Sequence, residues 1–100
     1  MNYFIRIGED TLEWSMKPGR VIEIIDIYVR SERRKGRGRE MVKLLKQEIP
    51  KDTALIVAIT RKSNTIAHQF YEALGFRIVG RLHRYYREDK EDGLMYGLDL

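Results

Sequence analysis

The sequence predicts an α/β (α+β) fold, with a mixed, mostly antiparallel sheet and two helices in the order β-β-β-α-β-α-β-β. Six short runs are alternating or β-branched, which is typical of strands. Two longer segments repeat apolar residues at the spacing of a helix. No linker or internal repeat divides the chain, so we expect one domain over residues 1–100.

The composition limits the class of protein. Of the 100 residues, 43% are hydrophobic and 34% are charged, as in a globular domain with one core. A formal net charge of +4 favours an anionic ligand or partner. The absence of cysteine excludes disulfides and a thiol nucleophile, and it makes a cytoplasmic location the default expectation. No apolar run approaches the roughly twenty residues that cross a bilayer, so we expect no membrane partner.

The first three predicted strands precede a glycine-rich loop. Residues 3–7 and 12–16 alternate apolar and polar side chains on either side of a turn, which predicts a β-hairpin. A Pro-Gly turn follows. Residues 21–29 are apolar and β-branched apart from two acidic residues, and this pattern predicts a third, largely buried strand.

A helix and a central strand are predicted next. Apolar residues recur at helical spacing over residues 38–49, and Pro50 ends the pattern because it lacks the N–H that a helix needs. Residues 53–60 are short, apolar and β-branched, as in a strand that is covered on both faces. We expect this strand to lie in the centre of the sheet.

The last third of the chain predicts a second helix and two strands. Asn64 is suited to cap the helix at its start, and Gly75 to stop it in a left-handed conformation. Residues 77–86 and 94–100 read as strands. The charged residues 87–93 between them are predicted to be a solvated connection.

The loop between the third strand and the first helix is the candidate binding segment. Gly36 and Gly38 stand at the predicted helix entrance, where backbone N–H groups and the positive end of the helix favour an anion. Five cations surround them, namely Arg33, Arg34, Lys35, Arg37 and Arg39. Glycine lets a phosphate approach the backbone, so a pyrophosphate fits this loop best. A short G-x-G also occurs in turns for geometry alone, and the Walker A and G-x-G-x-x-G patterns are absent.

Two motifs then occur in order, Arg33-x-x-Gly36-x-Gly38 and Asn64-x-x-Ala67-x-x-Phe70-Tyr71-Glu72-x-x-Gly75-Phe76. Together they resemble the two signatures of the GNAT superfamily of N-acetyltransferases. The resemblance is close over residues 21–100, and the first hairpin is similar to the second and third strands of the family. The family's first strand and the two helices after it have no counterpart. This departure implies an open acceptor groove or a cover from another subunit.

The resemblance implies an acetyl-CoA-dependent N-acetyltransferase that moves acetyl to a primary amine by direct attack in a ternary complex. The expected acceptor is a protein lysine or amino terminus, and a small amine is the alternative. In such a fold, the strands that correspond to the third and fourth predicted strands of this chain splay apart. Their main-chain groups would hold the pantetheine arm at Ile27, Tyr28 and Val29, and an amide of Ile27 or Tyr28 would polarise the thioester carbonyl.

The resemblance also assigns the remaining site residues. The glycine loop would hold the pyrophosphate. Asn64 would help to position the cofactor or Tyr71, and Ala67 would contact the cofactor. Tyr71 would contact the cofactor and act as the general acid, although packing against its helical neighbours is the alternative for this residue.

Two carboxylates in the third strand are candidate bases. Asp26 is the first choice and Glu23 the second, because an ionised side chain in an apolar strand is costly unless it faces the groove. Regular alternation places them on opposite faces, and a β-bulge would change which of them faces the groove.

Other polar residues are given no catalytic role. Tyr85 and Tyr86 either line the acceptor groove or pack at the sheet edge, and no metal is expected from His68 and His83, which lack accompanying ligands.

Two further expectations concern partners. A catalytically degenerate module that binds CoA or nucleic acid is the alternative function. Nucleic acid is not the expected partner, because the cations crowd one loop instead of spreading along a face. A homodimer is expected, because an uncovered sheet edge is commonly covered by pairing.

Overall fold

A computed structural model describes residues 1–30 and 36–100. In this part of the chain it contains six strands and two helices, in the order that the sequence predicts. The elements are β1 (Asn2–Ile7), β2 (Asp10–Lys17), β3 (Val21–Tyr28), α1 (Arg37–Glu48), β4 (Leu55–Arg61), α2 (Thr65–Ala73), β5 (Arg77–Tyr86) and β6 (Glu91–Asp99).

The strands form a single mixed sheet in the order β1-β2-β3-β4-β6-β5. Only β3 and β4 pair in parallel, and the other four pairs are antiparallel. The prediction of a mostly antiparallel sheet is therefore confirmed. β4 has a neighbour on each side and buries Ile56, Val57 and Ala58, which confirms its predicted central position.

Both helices pack on one face of the sheet. A row of paired residues, Trp14, Ile24, Ala58 and Tyr96, crosses four strands on this face, and each side chain is at most 3% exposed. Met41, Val42 and Leu45 of α1 belong to the same hydrophobic cluster. In α2, the ring of Tyr71 stacks on Tyr96 at 5.9 Å between centroids. A hydrophobic core therefore lies between the sheet and the two described helices.

The opposite face carries a second row of paired residues, Ser15, Glu23, Val57, Gly97 and Arg77. Neither of the two described helices lies on this face, because both belong to the core on the other side. Phe4, on the same side of β1 as its partner Glu13, is 49% exposed. Ser15 and Val57 of this row are nevertheless buried at 6% exposure, so the face is only partly exposed.

The helix ends follow the local signals. Asn64 caps α2, since its side-chain oxygen accepts a hydrogen bond from the Ala67 N–H at 3.1 Å. Gly75 then adopts a φ of +91°, which a residue with a Cβ would resist. Neither described helix is long and apolar enough to cross a membrane.

Two predicted loops are shorter than expected. Glu91 and Asp92 were assigned to a solvated connection, but they belong to β6. Glu91 is held by an ion pair with Arg61 at 3.0 Å, and Asp92 accepts the Arg84 N–H at 2.9 Å. Asp10 was assigned to the first turn, but it begins β2 and is only 4% exposed. In each case a partner on another strand or helix, 8 to 30 residues away in the sequence, keeps the charged residue in the strand.

Candidate functional site

The site is a groove where β3 and β4 separate. The two strands pair only from Val21–Ile24 with 55–58. Beyond this point β3 continues beside β2, and β4 continues beside β6. A cavity of about 820 Å³ opens between them and extends over the first turn of α1 and one side of α2. The expected splay of the two strands is therefore present.

A β-bulge in β3 shapes the groove. Trp14 pairs with Ile24, and the preceding residue Glu13 pairs with Asp26, so Ile25 is an extra residue in β3. Glu23 lies opposite Ser15, which is on the same side of β2 as Glu13. The bulge thus cancels the regular alternation and brings both acidic residues to one face of the sheet, whereas an unbroken strand would place them on opposite faces.

Of the two carboxylates, Asp26 lines the groove and Glu23 does not. Glu23 instead pairs with Lys17 at 3.6 Å. Because a base has to reach the reacting amine, this geometry favours Asp26 over Glu23, and a catalytic role for either residue stays a prediction.

The free edge of β3 supplies backbone groups to the groove. Ile27 and Val29 line it, as expected from the resemblance, but Tyr28 does not, and its side chain is 52% exposed. Since β3 pairs with β2 on its other edge, the N–H and C=O groups of this edge are open to an extended ligand. The groove can therefore bind a chain that contains amides in the manner of an added strand.

The first turn of α1 closes one end of the groove. Gly36 precedes the helix with a φ of +87°, and its carbonyl accepts the Glu40 N–H at 2.8 Å. Gly36, Gly38 and Arg39 line the cavity. The first N–H groups of a helix have no intrahelical partner, so they are available to an anion at this end. Arg33, Arg34 and Lys35, the other predicted phosphate contacts, lie outside the described residues.

Gly38 has a packing role that the sequence did not indicate. A Cβ built on Gly38 would lie 2.8 Å from Cε1 of Phe70. The missing side chain therefore lets the aromatic ring of α2 rest on the first turn of α1. At Gly36, by contrast, an added Cβ would meet no atom of the described residues within 4 Å. The two glycines of the motif serve different purposes.

Arg37 also differs from its predicted role. Its guanidinium pairs with Asp10 at 3.1 Å and with Glu40 at 3.1 Å, and its side chain is only 9% exposed. The charge of this side chain is therefore already paired inside the protein, and its contact with the phosphates stays a prediction. Arg37 borders the groove at the helix start, where its backbone N–H remains suited to bind an anion.

Tyr71 lies on the wall of the groove and is 8% exposed. The rings of Phe70, Phe76 and Tyr96 surround it at 5.1 to 5.9 Å between centroids. Burial raises the pKa of the Tyr71 phenol well above its ordinary value, and the charge of Asp26 raises it further. The phenol therefore keeps its proton at neutral pH and can donate a hydrogen bond into the groove.

Tyr96 shows by contrast why Tyr71 is the better proton donor. The Tyr96 hydroxyl donates to Glu72 at 2.8 Å, and Tyr96 does not line the groove. Burial, together with the bond to Glu72, raises the pKa of Tyr96 to about 12. Its hydroxyl is therefore engaged in a structural hydrogen bond.

The start of α2 places two further predicted residues in the groove. Asn64 and Ala67 both line it, and they are joined by the N-cap hydrogen bond. Asn64 thus fixes the beginning of the helix that carries Tyr71. Its contribution to the site is at least the placement of this tyrosine.

The opposite end of the groove contains residues that were given no site role. Arg61, at the end of β4, lines the cavity and is surrounded by Glu88, Asp89 and Glu91 at 2.9 to 3.5 Å. Its guanidinium also lies over the Tyr86 ring, 4.1 Å from the centroid. Bonds from the Glu91 backbone and from Arg61 lower the pKa of Asp89.

This end of the groove contains one of the two tyrosines whose position the sequence left open, and it contains Arg61, to which the sequence assigned no role. Tyr86 lines the groove and Tyr85 does not. The only sequence signal for Arg61 was its position after an apolar strand, since its acidic partners are 27 or more residues away in the chain.

The arrangement has three chemical capacities along one groove. The helix start can bind an anion, and the open strand edge can bind an extended chain with amide groups. Asp26 and Tyr71 line the same cavity, and a carboxylate and a phenol are groups that can accept and donate a proton. These capacities suit a long anionic ligand whose reactive end lies between β3 and α2.

Comparisons with known proteins agree with this geometry. The sequence model of the family described as Acetyltransferase (GNAT) family matches residues 4–76. No curated protein sequence matches the chain.

Three solved structures illustrate the likeness in fold. A chain in the crystal structure of the NatC complex bound to Gag peptide and CoA is 25% identical, with a TM-score of 0.75, and the match covers 91% of this chain and 60% of that one. The Bacillus subtilis acetyltransferase in complex with CoA is 19% identical, with a TM-score of 0.78 and coverages of 99% and 76%. The ribosomal-protein-S18-alanine N-acetyltransferase from Escherichia coli is 24% identical, with a TM-score of 0.76 and coverages of 99% and 68%. The chain thus spans less than two thirds of its counterpart in the NatC complex.

Proposed function

The chain belongs to the GNAT family of acetyltransferases, and from this premise we propose that it transfers the acetyl group of acetyl-CoA to a primary amine. The acceptor is a protein lysine or a protein amino terminus. The observation that carries the proposal is the single groove that joins an anion-binding helix start to Asp26 and Tyr71.

The groove has the features that CoA requires. The pyrophosphate binds to the N–H groups at the start of α1, with Gly36 leaving room beside them. The pantetheine arm, which contains two amides, lies along the open edge of β3 at Ile27 and Val29. The CoA-bound relatives support this assignment, because they share the fold over 91% and 99% of this chain.

Acetyl-CoA supplies an activated thioester, and the residues of the chain orient it and move protons. The Ile27 amide is our choice for polarising the thioester carbonyl, since Tyr28 is not in the lining. One such donor contributes about 3 kcal/mol to catalysis. Asp26 accepts a proton from the attacking amine, directly or through water.

Tyr71 donates a hydrogen bond and then a proton to the departing sulfur. Its raised pKa keeps it protonated before the reaction. A thiolate in the same apolar surroundings is also destabilised, so its proton affinity rises towards that of the phenol. The proton affinities of the sulfur and the phenol are therefore closer to each other in the groove than in water.

An acceptor on a protein agrees with the surroundings of the groove. Neither described helix covers the second face of the sheet, so a bulky acceptor has access from that side. The charge of Arg61 is balanced by its carboxylate partners, so it does not repel a cationic amine. The NatC complex is bound to a Gag peptide, and the Escherichia coli relative is named for an alanine of a ribosomal protein. A small amine remains the alternative acceptor.

The homodimer and the cytoplasmic location stay predictions from the sequence. The exposed face of the sheet is the surface that a second copy would cover, and sedimentation equilibrium measures whether the chain self-associates.

Calorimetric titration of the purified protein with acetyl-CoA tests the proposed function. We expect a dissociation constant on the order of micromolar, as is common for enzyme substrates. A parallel titration with short duplex DNA at physiological salt is the control for a binding module. Salt-sensitive DNA binding without acetyl-CoA binding would contradict the proposal. Release of free CoA on addition of lysine-containing or free amino-terminal peptides then identifies the acceptor.

A further inference from the structure

Asp10 is a buried carboxylate that the proposed reaction does not use. It begins β2 and is 4% exposed. Its Oδ1 accepts the backbone N–H of Arg30 at 2.9 Å, and its Oδ2 accepts Nη1 of Arg37 at 3.1 Å. Arg30 follows the end of β3, and Arg37 begins α1. One carboxylate therefore joins the two elements that border the groove.

Arg37 extends this connection to the first hairpin. Its Nη1 also donates to the carbonyl of Ile7 at 3.0 Å, and its Nε pairs with Glu40 at 3.1 Å. The guanidinium thus contacts the end of β1, the start of β2 and the first turn of α1. Because both partners of the Asp10–Arg37 pair are nearly inaccessible, the pair is a rigid contact with little screening by solvent.

The charges of the pair are arranged so that they do not oppose an anion. A lone carboxylate near the positive end of a helix would compete with a bound phosphate. Here Arg37 balances Asp10, and its second partner Glu40 is 56% exposed and screened by solvent, so the contact orients the helix with little opposition to an anion. The pair therefore positions the helix and does not itself attract the anion.

We propose that Asp10, acting through Arg37, is a positioning residue that holds the first turn of α1 where its N–H groups bind the pyrophosphate of CoA. The inference rests on the proposed function, because it concerns the affinity for the same ligand. It adds a residue outside both motifs, and one that does not line the groove.

The substitution Asp10→Asn tests this role, because the amide keeps the size of the side chain and loses the ion pair. Removal of a negative charge near an anion site would strengthen acetyl-CoA binding if electrostatics alone decided the outcome. A positioning role predicts the opposite, a loss of about tenfold or more in affinity. Glu9→Gln is the matched control, since Glu9 is adjacent, exposed and paired with Arg30 at 3.4 Å. We expect its affinity to stay within about twofold of the wild type.

A second ligand separates positioning from general damage to the fold. S-acetyl-pantetheine lacks the pyrophosphate, and its weak binding is measurable by NMR titration of backbone amides. We expect Asp10→Asn to weaken acetyl-CoA binding and to leave S-acetyl-pantetheine binding within about twofold. Equal losses for both ligands, or an unchanged affinity for acetyl-CoA, would overturn the inference.

A second variant, Arg37→Lys, and the wild type complete the test. If Asp10→Asn does not fold, Arg37→Lys retains the charge but lacks the fork that reaches Ile7, Asp10 and Glu40 together, and the same selective loss is expected. If the wild type does not bind acetyl-CoA, the proposed function fails and the inference fails with it. Binding by the wild type with unchanged affinity in both variants overturns the inference alone.

Discussion

A Cβ on Gly38 would lie 2.8 Å from Cε1 of Phe70, so the two helices meet directly at the end of the groove. This contact joins the two sequence motifs in space, because Gly38 belongs to the first and Phe70 to the second. It also means that a substitution of Gly38 acts on helix packing as well as on ligand binding. The two effects have to be measured separately.

Gly38→Ala should reduce the free energy of unfolding. Overpacking costs about 1–3 kcal/mol, and the higher helix propensity of alanine returns at most about 1 kcal/mol. Urea denaturation of Gly38→Ala, Phe70→Leu and the double variant measures the coupling between the two sites. We expect Phe70→Leu to relieve part of the loss, and strictly additive effects would show that the two residues do not clash.

Gly36→Asp should abolish acetyl-CoA binding, because it places a carboxylate at the anion-binding end of the groove. Gly19→Asp is its matched control. Gly19 has a φ of +83°, close to the +87° of Gly36, and neither position has a described atom within 4 Å of an added Cβ. Each substitution costs about 1–2 kcal/mol of backbone strain, but Gly19 lies at the opposite end of β3. Equal acetyl-CoA affinities of the two variants in calorimetry would refute the phosphate assignment.

Tyr71→Phe should slow acetyl transfer by roughly a hundredfold and leave acetyl-CoA affinity nearly unchanged, as expected for loss of a general acid. Tyr96→Phe is the control: it removes the hydroxyl bound to Glu72 and should cost about 1 kcal/mol of stability without slowing turnover. Because burial raises the pKa of Tyr71, wild-type turnover should show no loss of this acid up to about pH 10. Stopped assays of CoA release across pH measure the turnover of the two variants and the pH dependence of the wild type.

Asp26→Asn should lower turnover, while Glu23→Gln should not. Both substitutions remove one carboxylate from β3, but only Asp26 lines the groove. Glu23→Gln breaks a pair with Lys17 whose lysine is 45% exposed, so its effect on stability should stay below about 1 kcal/mol. Removal of the Asp26 charge should also lower the pKa of Tyr71 from its raised value. Equal turnover in the two variants would mean that another group accepts the proton.

Much of the fold followed from local patterns. Alternation and helical spacing predicted the six strands and two helices of the described residues, because a half-buried strand or helix repeats apolar residues at its own period. The Asn64 cap and the Gly75 stop were also predictable, since each depends on a few neighbouring residues. Asp10 and Glu91 were placed in loops because their stabilising partners are distant in sequence.

The candidate site was predictable only in part. The motifs identified Gly36, Asn64, Ala67 and Tyr71, all of which line one groove. The bulge at Ile25, which sets the face of Asp26, depends on pairing with β2 and has no local signature.

The sequence was sufficient for the order of the elements, the glycine loop and the tyrosine helix, because these depend on spacing within short segments. Packing alone settled that Asp26 and not Glu23 reaches the groove and that Gly38 makes room for Phe70. Packing also paired the Arg37 charge with Asp10, 27 residues away in the sequence. The physical reason is that burial and ion pairing depend on which side chains the fold brings together, and residue type and local spacing do not specify those partners.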